Sequence, residues 1–108
     1  INQKWWWQAQ AAYLANHKLH DTSLALEISK PLLHAENVPL WVNQLPAFIH
    51  EARGEFDAAL SIMDHIKENV TDIKQGELNF IQHFIEERIG AIERITKETE
   101  ALQNMNNQ

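Results

Sequence analysis

The stretch from Asn37 to Val70 constrains the fold more than any other part of the sequence, because two helical patterns meet there at one glycine. Apolar residues recur at three- and four-residue steps on both sides of Gly54, which is the spacing of one face of an α-helix. Glycine readily takes the left-handed conformation that ends many helices. The pattern therefore predicts two helices, over residues 38–53 and 55–69, folded back on each other. Their apolar positions are Trp41, Leu45, Phe48 and Ala52 before the glycine, and Phe56, Ala59, Met63, Ile66 and Val70 after it.

One asparagine and three prolines bear on the helix boundaries. Asn37 is a good N-cap, and Pro39 follows it in the predicted first turn, where the missing N–H of proline costs nothing. Pro31 and Pro46 fall inside predicted helices. A proline there removes one backbone hydrogen bond and bends the axis, so we expect the helix around each to be kinked rather than ended.

A shift of the chain by 34 residues lays its first third over this helix pair. The shifted residues are identical at five positions and alike in type at two more, where Leu14 falls on Phe48 and Leu32 on Ile66. An internal repeat of this length is typical of arrays of helix pairs. The identical pairs are Trp7 and Trp41, Gln10 and Gln44, Ala25 and Ala59, Leu26 and Leu60, and Ile28 and Ile62.

The residues around the turn carry a further signal. Gly54, Phe56 and Ala59 form a glycine–x–aromatic–x–x–alanine pattern, and Ala47 is the small residue of the preceding helix. Together with the 34-residue period, this pattern resembles the tetratricopeptide repeat (TPR) family. The resemblance implies an all-α fold in which antiparallel helix pairs form a right-handed superhelical array. Two degenerate repeats would span about residues 6–36 and about residues 38–70.

The first repeat departs from the pattern at its turn. His20 and Thr22 stand where the second repeat has the glycine and the aromatic residue. The helix before the turn, residues 4–18, begins with three tryptophans, Trp5–Trp7. Successive residues of a helix point about 100° apart, so we expect at least one of these rings to stay exposed. Asp21 or Thr22 is the expected cap of the next helix.

The longest helical pattern covers about residues 77–103. Leucine and isoleucine recur along it at three- and four-residue steps, and the opposite side is charged. A repeat array needs a terminal element with one polar face to cover the apolar surface of its last unit, so we predict a capping helix. Its far end carries Ile95, Thr99 and Leu102 among many charges. Such an end typically projects into solvent or pairs with another helix.

Composition and charge narrow the possible functions. The 108 residues suffice for one domain, and because the sequence begins at Ile1 without a methionine, we expect it to be part of a longer protein. The net charge is −6, and residues 55–108 carry eleven acidic against five basic side chains. An acidic half repels phosphates, so we expect no nucleic-acid partner. The absence of cysteine excludes disulfides and thiolate metal sites.

Motifs of catalysis and metal binding are missing. None of the six histidines has a glutamate three residues before it, as a di-iron bundle requires. His17 with His20, and His83 with Glu87, offer only two metal ligands each, which do not make a specific site. The sequence contains no nucleophile elbow, phosphate-binding glycine loop or HExxH motif. We therefore expect no enzyme activity, no cofactor and no metal.

The resemblance to TPR proteins implies a function in protein binding. In that family the first helix of each repeat lines a concave groove that holds a peptide or a partner helix. The basic, asparagine-rich clamp that some members use for a C-terminal carboxylate is missing here, so we expect an apolar or amphipathic segment in the groove. The implied groove residues are Trp7, Gln10, Leu14 and His17 from the first copy, and Trp41, Gln44, Phe48 and Glu51 from the second.

Three alternatives remain open at this stage. The implied groove residues may equally pack against a neighbouring repeat or against the last helix. The chain may be a structural bundle that forms a homodimer through residues 85–102, where apolar residues continue along the last helix. The cluster Trp5–Trp7 suggests a membrane-associated adaptor. No apolar run approaches the roughly 20 residues needed to span a bilayer, so a membrane contact would require a segment outside this sequence.

Overall fold

The computed structural model describes residues 4–106, and within that range every regular element is helical. Helix α1 spans Lys4–His17, α2 spans Thr22–Ser29, and a 3-10 segment over Lys30–His34 extends α2. Three further helices follow, namely α3 (Leu40–Ala52), α4 (Phe56–Asn69) and α5 (Gln75–Asn106). The all-α prediction is confirmed, and the four α-helices whose two ends were both predicted end within three residues of the predicted positions.

Neighbouring helices pair as two hairpins. Helix α1 packs mainly on α2, and α3 packs mainly on α4. The two hairpins meet where α2 contacts α3, and α5 packs on α4 at the end of the array. Within residues 4–106, no helix combines the length and apolar character that crossing a lipid bilayer requires.

The turn between α3 and α4 has the predicted left-handed glycine. Gly54 has φ = +77°, and the backbone N–H of Glu55 donates to the carbonyl of His50 at 2.9 Å, which closes the turn. The turn between α1 and α2 takes a similar conformation without a glycine, because His20 has φ = +53°. Asp21 caps α2 as expected, since its side chain accepts from the backbone N–H of Leu24 at 3.0 Å.

Replacing Gly54 with alanine should lower the free energy of unfolding by about 1 kcal/mol, because a Cβ disfavours positive φ. A Cβ at this position would meet no atom within 4 Å, so the cost comes from the backbone alone. Gly90, inside α5, is equally open. There alanine should raise the free energy of unfolding by up to about 1 kcal/mol through its higher helix propensity. Urea unfolding of both variants checks the prediction, and a shift of the same sign in both would contradict it.

Two predictions about helix ends are wrong. The α-helical part of the second helix stops at Ser29, and Pro31 lies in the first turn of the 3-10 segment rather than at a kink. Proline has no N–H to continue the α-helical ladder, and the tighter 3-10 turn still leaves Leu32 only 2% exposed. Asn37 does not cap α3. It has φ = +57° in the connection, a conformation that asparagine tolerates, and α3 begins after Pro39 with no side-chain cap.

The buried face of α4 agrees with the prediction, whereas that of α3 differs. Ala59, Met63 and Ile66 of α4 are fully buried together with Ile81 of α5. On α3, by contrast, Trp41 is 43% exposed. Helix α3 contacts α1, α2 and α4 at once, so it is buried on several sides rather than on one stripe. Its buried residues are Val42, Asn43, Gln44, Pro46, Ala47 and Ile49.

Two polar side chains fasten the hairpins to each other. The buried Asn43 of α3 donates its amide nitrogen to the carbonyls of Leu32, Leu33 and Ala35, at 2.9, 3.2 and 3.1 Å. These carbonyls lie at the end of the 3-10 segment, where helical partners run out. Arg53 reaches from the α3–α4 turn to the hydroxyls of Thr22 and Ser23 at the start of α2.

The second turn also carries a small ionic cluster. Glu55 accepts from the ring nitrogen of His50 at 3.0 Å and from Arg53 at 2.7 Å. These hydrogen bonds, that of His50 first, hold the pKa of Glu55 below its ordinary value. The cluster is largely solvent-exposed, so it orients Arg53 toward α2 more than it stabilises the fold.

Candidate functional site

The largest concave surface is a groove between the two ends of the second hairpin. It encloses about 740 Å³, within the range of volumes that ligand sites occupy. The start of α3 forms one wall, the first turns of α5 form the other, and the connection between α4 and α5 closes one end. The lining is mainly apolar and includes Val38, Leu40, Trp41, Gln44, Phe48, Val70, Ile73 and Phe80.

The wall on α3 presents residues at helical spacing. Trp41, Gln44 and Phe48 follow one another at three- and four-residue steps, so they lie along one side of the helix. The Trp41 ring is held edge-on by Trp5 of α1, with ring centroids 6.3 Å apart. Nearly half of the Trp41 side chain nonetheless remains exposed. Gln44 is 5% exposed and supplies amide hydrogen-bonding groups at the base of the wall.

The wall on α5 is an aromatic cluster. Phe48 of α3 contacts both Phe80 and Phe84, with ring centroids 6.2 and 6.0 Å away. Phe84 is buried, whereas Phe80 is 48% exposed. Phe80 therefore faces the groove from α5 as Trp41 does from α3.

Three charged residues surround the end of the groove. Asp72, Lys74 and Glu77 line it, and the Lys74 backbone N–H donates to the Glu77 carboxylate at 3.1 Å at the start of α5. Asp72 has φ = +60°, so the connection turns sharply there. With one basic and two acidic groups, this end of the groove does not favour an acidic ligand.

The structure brings together only some of the residues implied by the repeat pattern. Trp41, Gln44 and Phe48 line the groove, but Glu51 lies further along α3 and forms an ion pair with Arg88 of α5. Arg88 also stacks over the Phe84 ring, 4.3 Å from its centroid. This pair fastens α5 across α3. The four residues of the first copy, Trp7, Gln10, Leu14 and His17, are exposed on α1 and do not line the groove.

The exposed side of α1 forms an aromatic surface of its own. Trp6 and Trp7 are 40% and 68% exposed, so the expectation that at least one of the three rings remains uncovered is confirmed. Tyr13 and Leu14 are each more than half exposed on the same helix. This surface is convex, and no pocket of comparable size is described beside it.

Sequence reasoning missed the α5 side of the groove. Phe80 was expected to widen the apolar stripe of the capping helix, not to face Trp41. The available signal was its four-residue spacing from Phe84, which marks an aromatic edge on α5. Val70 and Ile73, at the closed end, belong to a connection that helical periodicity does not describe.

Comparisons of the chain with protein-family models, curated proteins and solved structures found no match. Among residues 4–106, no group of three or more histidine, aspartate or glutamate side chains is placed to hold a metal ion.

Proposed function

We propose that this chain is a TPR-like protein-interaction module, without catalytic activity, that binds one amphipathic helix or peptide in the groove between α3 and α5. The observation that carries the proposal is the placement of Trp41 and Phe80. Both side chains are nearly half exposed, and both face the same 740 Å³ groove. Large apolar rings exposed inside a concave surface are typical of binding sites.

The pattern of burial supports the TPR-like assignment. Every buried residue in α1, α2 and the 3-10 segment has a buried counterpart 34 residues later, and His20 and Gly54, with their positive φ angles, are also 34 residues apart. The order of contacts, α1 with α2, α2 with α3 and α3 with α4, is that of stacked helix pairs. The buried pairs are Ala9 and Asn43, Ala12 and Pro46, Ala15 and Ile49, Ala25 and Ala59, Ser29 and Met63, and Leu32 and Ile66.

The groove favours a partner with apolar side chains on one face. Trp41, Phe48 and Phe80 supply flat aromatic contacts, and Gln44 supplies hydrogen bonds that fix orientation. An amphipathic helix offers such side chains at steps of three, four and seven residues. Lys74 at the groove end provides the one positive charge for an acidic group of that partner.

Replacing Trp41 with alanine should weaken binding of a groove ligand by about tenfold or more, because exposed tryptophans in such sites carry much of the binding energy. The ligand is obtained by selecting displayed 16-residue peptides against the wild-type chain. We expect the selected peptides to share apolar residues at helical spacing. Isothermal titration of one synthetic peptide then compares the variants.

Trp7→Ala is the matched control, because it removes an equally large ring that lies outside the groove. It should change the dissociation constant less than about twofold. Circular dichroism confirms that both variants remain helical. A peptide that loses affinity with Trp7→Ala and keeps it with Trp41→Ala would contradict the assignment, as would a selection that yields no peptide with helical apolar spacing.

A further inference from the structure

Helix α5 extends well beyond the rest of the molecule. It has 32 residues, and every residue from 93 to 106 is exposed. At 1.5 Å per residue, that exposed part is about 20 Å long. The longest dimension of the chain is accordingly 65 Å, against 34 and 16 Å in the other directions. This exposed part, residues 93–106, is called the distal segment below.

An apolar seam runs without interruption from the buried half of α5 into the distal segment. Ile81 and Ile85 are 0% and 8% exposed because α4 and α3 cover them. The same alternation of three- and four-residue steps leads on to Ile92, Ile95, Thr99 and Leu102. Of these, Ile95 and Leu102 are 51% and 61% exposed. A seam of this period is the signature of helix pairing, and only its first half is covered within the chain.

We propose that the seam of the distal segment pairs with the same seam of a second copy of this chain, in antiparallel orientation. Residues 92, 95, 99 and 102 are separated by three, four and three positions, so the spacing reads the same in both directions. Antiparallel overlap therefore places Ile92 opposite Leu102 of the copy and Ile95 opposite Thr99 of the copy. A surface that matches itself in this way is what a two-fold symmetric dimer requires.

The charges beside the seam are compatible with this pairing. The positions that flank it are occupied by Ile89, Ala91, Thr96, Glu98, Gln103 and Met105, of which one is charged. The remaining charged residues of the distal segment, including Lys97 and Glu100, lie further round the helix toward solvent. Uncharged flanks remove the repulsion that would otherwise keep two identical helices apart.

The body of the molecule decides the orientation. Helix α4 covers the seam at Ile81 and Ile85, on the same side of α5 as Ile92 and Ile95. In a parallel pair, each body would have to occupy the space between the two helices. In the antiparallel pair, the bodies lie at opposite ends and the two distal segments overlap alone.

Sedimentation equilibrium tests the dimer. With four seam residues from each chain, we expect a dissociation constant of about 10–100 μM. Ile95→Asp should weaken the dimer by at least about 30-fold, since each seam then buries a carboxylate. Ala101→Asp adds the same charge on the far side of the helix and should leave the dimer intact. A wild-type chain that remains monomeric at 500 μM would overturn the proposal.

Two further readouts separate this dimer from other contacts. The chain has no cysteine, so Ile92→Cys and Leu102→Cys each introduce a single thiol. Mild oxidation of an equal mixture should give the cross-linked pair of the two variants, and each variant alone should cross-link poorly. Efficient cross-linking of each variant with itself would establish a parallel pair instead. A dimer lost with Trp41→Ala would place the partner in the groove and overturn the proposal.

Discussion

Asn43→Ala is expected to lower the free energy of unfolding by about 2 kcal/mol, although alanine is the better helix former. Asn43 is 4% exposed and donates to three carbonyls at the end of the 3-10 segment. Because carbonyl oxygens only accept, the amide nitrogen must face them. Removing the donor leaves buried acceptors without partners, which typically costs about 1–3 kcal/mol. Urea unfolding followed by circular dichroism measures the change.

Asn43→Asp separates hydrogen bonding from side-chain volume. Aspartate has nearly the same size, but at neutral pH it accepts where asparagine donates, so we expect a loss at least as large as with alanine. Asn104→Ala, on the exposed end of α5, is the control and should change the free energy of unfolding by less than about 0.5 kcal/mol. If Asn43→Asp were as stable as the wild type, the described contact between the hairpins would be wrong.

Ile81→Ala should cause the largest loss of stability, about 3–4 kcal/mol. Ile81 is fully buried where α5 packs on α4, and truncating such a side chain costs its burial free energy and leaves a cavity. The same substitution at Ile95, in the same helix but 51% exposed, should change the free energy of unfolding by less than about 0.5 kcal/mol. Both variants are measured below 1 μM, where the proposed dimer is dissociated. Equal effects at the two positions would contradict the described packing of α5.

Local sequence signals predicted the second hairpin well. The face of α4 through Ala59, Met63 and Ile66 is amphipathic because only one side of that helix is covered, so its period shows directly which residues are buried. Gly54 marks the turn because few other residues take its φ angle readily. His20 shows the limit of that reasoning, since its similar conformation follows from the packing of α1 on α2 rather than from a local preference.

Helix α3 was harder to predict because neighbours surround it. A single apolar stripe assigns one inner side, whereas contacts with α1, α2 and α4 bury polar residues such as Asn43 and Gln44 as well. Their burial depends on partners in other helices, of which the local pattern gives no sign. The exposed Trp41 is the reverse case, an apolar residue that pattern reasoning assigned to the packed face.

Half of the groove was accessible from sequence. Trp41, Gln44 and Phe48 share one side of α3, so helical spacing grouped them correctly. Their position opposite Phe80 depends on how α5 crosses the end of the second hairpin, which the turn at Asp72 and the pair of Glu51 with Arg88 determine. Such long-range geometry leaves no periodic trace in the sequence.

Indole N–H spectra of the ¹⁵N-labelled chain test the proposed groove most directly. The sequence contains four tryptophans, and single phenylalanine substitutions assign their four signals. On titration with a peptide selected against the chain, the account predicts a large shift for Trp41, a smaller one for Trp5 because its ring contacts Trp41, and none for Trp6 or Trp7. Shifts of Trp6 and Trp7 with an unchanged Trp41 signal would contradict it.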